Sequence, residues 1–310
     1  MPSRRRSLAL AATLAGTLAL TACGGGEDTA GSAPAASSPA ADGLSVVAST
    51  NVYGSIASAI AGDAASVTSI ISDPSADPHS YEASTRTQLE LSRADLVIEN
   101  GGGYDDFMEQ MLSAAGSQAV VLNAVEVSGK QAPADGELNE HVWYDVATVR
   151  TLAERIEAEL AKASPDDAAA FEANLATFQG ALDGLQQRIE EEAARTQGQP
   201  VAVTEPVPGY LLDALGAEDR TPEEFSEAIE EESDVPVAVL QETLSLFTGK
   251  QVRALVHNEQ TTGPQTEQVL RAAQDNGIAV VPVTETLPEG EDYTTWMTEN
   301  VDAIAAALGA

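Results

Sequence analysis

Positive charge, cysteine and histidine are all in short supply in this chain. Fifteen Lys plus Arg stand against 49 Asp plus Glu, for a formal net charge of -34. So few cationic side chains cannot build a phosphate-binding surface, which excludes nucleic acid as a partner. The acidity reads as a solvated, self-repelling surface that maintains solubility. Cys23 is the one cysteine, so an intramolecular disulfide is ruled out. There is no G-x-x-x-x-G-K-S/T loop for nucleotide phosphates and no H-E-x-x-H helix for a hydrolytic metal. Beyond residue 22 no stretch approaches the roughly 20 apolar residues that span a bilayer. Histidine occurs three times, at His79, His141 and His257.

The N-terminus is read as a processing segment. Arg4, Arg5 and Arg6 form a positive head, and residues 7–22 contain only small, apolar and hydroxyl side chains. That is the pattern of a secretory signal, too short for a stop-transfer helix. It ends in Leu20-Thr21-Ala22-Cys23, which resembles a lipobox, so Cys23 is the expected lipidation site. Residues 1–22 are then the signal peptide. Residues 23–43, rich in Gly, Ala, Ser and Pro, are the lipidated Cys and a flexible tether. The folded body is expected on the extracytoplasmic face of the cell membrane, anchored through Cys23.

What the body contains is a regular alternation of short strands and helices. Strand-like apolar runs are expected at 44–49, 67–71, 95–99, 119–122, 201–204, 252–256 and 278–283, with helices between them. Such alternation predicts βαβ units and parallel sheets. Asp145 is the expected N-cap of a helix over 146–163. Ser164-Pro165-Asp166-Asp167 carries helix-start chemistry: a hydroxyl cap, proline in the first turn, and two acids at the positive end. Behind it Phe171, Leu175, Phe178, Leu182, Leu185 and Ile189 recur at spacings of four and three. That stripe predicts a helix of about 30 residues, roughly 45 Å long, more than one crossover needs. The expected organisation is an N-terminal lobe at 44–163, a long connecting helix at 164–197 and a C-terminal lobe at 198–310.

Chemistry-bearing residues gather where strands end. His79 lies in Asp73-Pro74-Ser75-Ala76-Asp77-Pro78-His79-Ser80-Tyr81-Glu82, past a strand's carboxyl end, where open α/β sheets bind ligands. Its two prolines hold the loop extended. His141 opens the segment His141-Val142-Trp143-Tyr144-Asp145 after the polar loop 130–140. Glu205 follows the strand at 201–204, and Glu285 follows the last strand. Two neutral imidazoles and two carboxylates make a mixed shell suited to a divalent first-row metal. Two precede the connecting helix and two follow it, so the ion would sit between lobes. Glu82, Asn100 and Asp145 are expected to support the ligands, because a ligand imidazole needs an acceptor on its other nitrogen. His257 ends its strand and competes for a place in the cleft, although a strand-end His is otherwise an ordinary structural residue.

These segments resemble the receptors of zinc and manganese ABC transporters, the ZnuA/TroA-like family of metal-binding substrate-binding lipoproteins. Asp77-Pro78-His79-Ser80-Tyr81-Glu82 is similar to the family's Asp-Pro-His-x-Tyr-Glu motif, and His141-Val142-Trp143 with Asp145 to its His-Val-Trp-Leu-Asp segment. Asn258 and Gln260 match an Asn-x-Gln segment that supplies no ligand. Glu205 falls at the third-ligand position, and Glu285 falls where the family usually carries Asp. The resemblance spans nearly all of 44–310. It implies a periplasmic-binding-protein-like α/β fold of the metal-receptor type, two parallel-sheet lobes joined by one long helix. It also implies a monomer without catalytic activity. Its ligand would be Mn2+ or Zn2+, delivered to a membrane permease with its separate ATPase. The zinc-specific branch has a third His where Glu205 stands and a His-rich loop before the second ligand, whereas residues 124–140 contain no His. The harder set here is expected to favour Mn2+. Two other classes compete: a secreted metallohydrolase, which would keep an open metal position beside a general base, and a surface adhesin using metal only for structure.

Overall fold

Strand parity organises the body. The structure is a computed structural model that describes residues 43–309 apart from 77, 79, 80, 82, 83 and 135. Cys23, His79 and Glu82 lie outside the described residues. The elements run β1 (Leu44–Thr50), α1 (Asn51–Ala61), β2 (Ala65–Ile71), α2 (Thr85–Leu91), β3 (Leu96–Glu99), α3 (Phe107–Ala115), β4 (Val120–Asn123), α4 (Ala124–Ser128), α5 (Val146–Ala163) and α6 (Ala168–Thr196). They continue as β5 (Pro200–Val203), α7 (Gly209–Ala214), β6 (Glu218–Asp219), α8 (Glu223–Glu230), α9 (Val237–Thr248), β7 (Ala254–Asn258), α10 (Pro264–Asp275), β8 (Ala279–Val283) and α11 (Tyr293–Gly309).

The strands form two wholly parallel sheets, β2-β1-β3-β4 and β6-β5-β7-β8. Each lobe thus repeats one strand order, and its chain reverses direction of growth between the two central strands. Ligands of open α/β sheets bind at that switch point, outside the strands' carboxyl ends. Alternate residues face opposite layers. Val46, Ala48, Leu96, Ile98, Val201, Val203, Ala254 and Val256 all enter one central core with α1, α5, α6 and α11. Val47 and Val97 face an outer layer with α2 and α3, while Ala202 and Leu255 face one with α8, α9 and α10. Sheets buried on both faces explain why these strands read as apolar runs rather than alternating ones.

The stripe expected on the long helix is present: Phe171, Phe178, Leu182, Leu185 and Ile189 are buried along α6 in the central core. The start differs. Ser164 Oγ donates to Asp167 Oδ2 at 2.7 Å, closing a turn, and regular helix begins at Ala168. The turn satisfies the polar groups locally that a helix N-terminus would otherwise leave open. Among the short elements that were not expected are α4 and β6. α4 is one turn, started by Asn123 Oδ1 accepting the Glu126 amide at 3.0 Å and stopped by Gly129 at φ 65°. β6 has two exposed residues, so it carries no apolar pattern. β7 is shifted two residues along the chain from the expected 252–256, beginning at Ala254 and ending with His257 and Asn258.

The lobes are stitched together beside the cleft. Asn51 Nδ2 donates to the Leu287 carbonyl and Asn51 Oδ1 accepts the Leu287 amide, both at 2.9 Å. Tyr144 Oη donates to the Thr284 carbonyl at 2.7 Å, and Tyr293 Oη to the Trp143 carbonyl at 2.8 Å. Gln260 Nε2 donates to the Ala76 carbonyl at 2.7 Å, anchoring the Asp73 loop across the gap.

Candidate metal centre

His141 is fully buried, with no exposed surface. Asn139 sets its orientation. Asn139 Oδ1 accepts the His141 backbone N–H at 3.0 Å, an Asx turn, and also faces His141 Nδ1 at 2.9 Å. That acceptor keeps a proton on Nδ1, so Nε2 is the nitrogen left for coordination. Asn139 is itself held from the other lobe: its Nδ2 donates to the Pro206 carbonyl at 2.9 Å, and Tyr210 Oη donates to its carbonyl at 2.6 Å. The rings of Trp143 and Tyr104 stand 5.1 and 5.9 Å from the imidazole and wall it off from water.

The carboxylates come from strand ends of the second lobe. Glu205 follows β5 by one residue; Thr204 continues the ladder by donating its amide to the Val256 carbonyl at 3.1 Å. Glu205 is 3% exposed, braced by Thr261 and Asn258. Its Oε2 has no hydrogen-bond partner among the described residues. Glu285, 1% exposed, lies just beyond β8. Asn258 Nδ2 donates to its Oε1 at 2.8 Å, and its amide donates to Gln260 Oε1. The Asn-x-Gln segment therefore positions a carboxylate.

A further carboxylate, which the sequence reading did not single out, stands beside them. Glu230, the last residue of α8, places Oε1 3.3 Å from His141 Nε2. Its signal was in the sequence: Glu223, Glu227 and Glu230 recur at spacings of four and three, opposite Phe225 and Ile229. Asn139 was legible only as an Asn two residues before a His. Glu140, adjoining His141, brings a ligand atom within 4.8 Å of those of His141 and Glu230.

The supporting residues partly change places. Asp145, expected to support an imidazole, caps α5 through Ala147 and Thr148 and pairs with Lys130 Nζ at 2.9 Å, while Asn139 serves His141. An amide already bonded to the same residue's backbone reaches the ring more directly than a helix cap does. Asn100 acts one step removed: its Nδ2 donates to the Glu140 carbonyl at 3.0 Å, steadying the chain into His141. His257 turns away. By parity it shares the face of Leu255, toward the layer of α8, α9 and α10, while Asn258 faces Glu285.

Electrostatics set the demand for a cation. Burial disfavours a charged His141, but the Glu230 carboxylate, with Glu140 and Glu285 beyond it, outweighs that and pushes the imidazole up to about 9. Burial, then the neighbouring Glu230 and Glu285, push Glu205 up to about 8 against its bonds to Thr261 and Asn258. Keeping Glu205 ionised at neutral pH without a counter-ion therefore costs on the order of 5 kcal/mol relative to water. A divalent cation removes that cost, and an imidazole with carboxylates is a donor set such ions accept.

Two parallel-sheet lobes with a buried, carboxylate-rich centre at their strand ends define a two-lobed ligand receptor of the periplasmic type. The chain belongs to the family of the zinc-uptake complex component A, periplasmic (ZnuA), whose sequence profile matches residues 46–307. It is 28% identical over 277 residues to the manganese-binding lipoprotein MntA of Bacillus subtilis, covering 87% of this chain and 86% of that one. It is 26% identical over 284 residues to the zinc-binding protein TroA of Treponema pallidum, covering 87% and 90%. The solved structure of the periplasmic zinc-binding protein TroA from Treponema pallidum superposes with a TM-score of 0.74 at 21% identity, over 86% of this chain and all of that one, a likeness of fold.

Proposed function

We propose that this chain is the extracytoplasmic receptor of an ABC importer for a divalent transition metal. It captures one Mn2+ or Zn2+ between its lobes and delivers it to a membrane permease driven by a separate ATPase. His79, His141, Glu205 and Glu285 are the ligands. The lobes are 44–163 and 198–310, flanking the connector 164–197. Cys23, lipidated after removal of residues 1–22, holds the receptor at the membrane through the tether 23–43. One observation carries the reading: a fully buried imidazole of the first lobe faces the Glu230 carboxylate at the end of α8, with the buried Glu205 and Glu285 carboxylates just past strand ends of the same second lobe. Family membership points to a solute receptor rather than an enzyme. The names of its relatives include both metals, manganese for MntA and zinc for TroA.

A carboxylate at Glu205 suits the harder ion, which favours Mn2+ as cargo. Selectivity must be read as a ratio, since any N/O site binds Zn2+ more tightly than Mn2+ in absolute terms. Titrating metal-free protein with each ion should give one ion per chain. His141→Ala should weaken both by more than about tenfold. Glu205→His should raise the Zn2+ to Mn2+ affinity ratio, mainly by weakening Mn2+. Wild-type affinity in His141→Ala would refute the assignment.

A further inference from the structure

A cavity of about 550 Å³ opens beside the candidate centre and has no part in the reading above. Glu137, Glu140, Glu223, Glu227, Glu230 and Glu231 line it, and among the described residues no Lys or Arg does. Three of these are the polar face of α8, whose Phe225, Ala228 and Ile229 are committed to the core behind it. The cavity is thus built by a packed helix, with its acids held in place. Burial and the neighbouring Glu223, Glu137 and Glu231 push Glu227 above the usual carboxylate range, the mark of crowded negative charge.

A buried imidazole makes this more than an acidic patch. Glu140 and Glu230 line the cavity and also gather around His141, the three ligand atoms lying within 4.8 Å of one another. His141 Nε2, the nitrogen available for coordination, faces Glu230 at 3.3 Å. We propose that Glu140, His141 and Glu230 form an outer station, at the floor of the acid-lined cavity, where the incoming divalent cation binds before it reaches Glu205 and Glu285. This rests on the receptor reading above. Negative potential in the cavity concentrates the cation. Glu140 and Glu230 neutralise its two charges as water is shed. Glu285 and Glu205 then replace them one at a time, with His141 retained throughout. One imidazole nitrogen serves one ion, so the two stations are successive and the stoichiometry stays at one.

The station is kinetic, and its test must separate rates from affinity. Metal-free full-length chain is mixed rapidly with MnCl2 or ZnCl2 and followed by tryptophan fluorescence, since the Trp143 ring lies 5.1 Å from that of His141. Glu230→Gln should slow association by about tenfold or more and slow release similarly, leaving the dissociation constant within about threefold of wild type. Glu140→Gln, an independent variant, should show the same pattern more weakly, and raising the salt concentration should shrink the wild-type advantage. Glu224→Gln, on the exposed side of α8, should change neither rate. A weakened dissociation constant with unchanged association would make Glu230 a permanent ligand and overturn the station. Unchanged rates, or faster association, in both variants would overturn it too. Wild-type affinity in His141→Ala would instead overturn the receptor site itself, so the two failures are distinguishable.

Discussion

As the proposed ligands, His141 and Glu205 must each release a proton before a cation binds. With ordinary values, only an imidazole near 6.5 would matter, and affinity would fall as pH drops through about 6.5. In the cleft the imidazole stands at about 9 and Glu205 at about 8, so the window moves upward. Affinity should climb with pH until about 9, with about two protons released per ion at pH 7. Calorimetry in buffers of different ionisation enthalpy counts them, and a release of none would contradict this picture. Stability of the metal-free fold runs the opposite way. The His141 contribution is fully present below 6.5 and is lost as pH rises through about 9. Glu205 stays protonated in the fold while its unfolded counterpart ionises from 4.5, so stability declines up to about 8. The metal-free protein should therefore melt at progressively lower temperature between those limits, and metal should reverse the trend.

At the scale of elements, α6 couples the two sheets. Its apolar stripe lies in the central core shared by β1 and β3 of one lobe and β5 and β7 of the other. Leu182 has no exposed surface within that core. Leu182→Ala should cost about 2–5 kcal/mol, the usual range for a fully buried Leu in a core that cannot collapse around the gap. Denaturant titration should show one transition at a lower midpoint. Two resolved transitions would mean that each lobe is stable without the shared core. α8 works differently, with its apolar side in the outer layer and its acids toward the cleft. One short amphipathic helix thereby serves both packing and electrostatics.

For the molecule as a whole, charge and location belong together. A net charge of -34 keeps the body soluble and repels like surfaces. Among the described residues no helix is long and apolar enough to cross a membrane. The proposed anchor is covalent, at Cys23. Cys23→Ala should move the protein from the membrane fraction to the medium while leaving metal affinity unchanged. A variant that stays with the membrane would show that something other than lipid holds it there.

Most of the longer strands and helices, and the parallel order of both sheets, were legible in the sequence, whereas the one-turn α4 and the two-residue β6 were not. Strands buried on both faces must be apolar runs, and a helix packed along its length must repeat its apolar residues every three or four positions. Both patterns are local, so the α6 stripe and the βα alternation were legible without coordinates. The sequence also brought out His141, Glu205 and Glu285 as candidates, because each stands in a distinctive segment at or beyond a strand end. Tertiary structure decided the rest. Glu230 meets His141 only because α8 docks beside the loop carrying Glu140, an encounter between segments far apart in the chain. Asn139, which was not among the expected supporting residues, serves the His141 ring from its own Asx turn, while the Asp145 carboxylate is taken up in capping α5. The two-residue shift of β7 brings His257 and Asn258 into the strand, which sends them to opposite faces. Side-chain periodicity is a property of the local backbone, whereas the composition of a cleft depends on which surfaces of the folded chain come together.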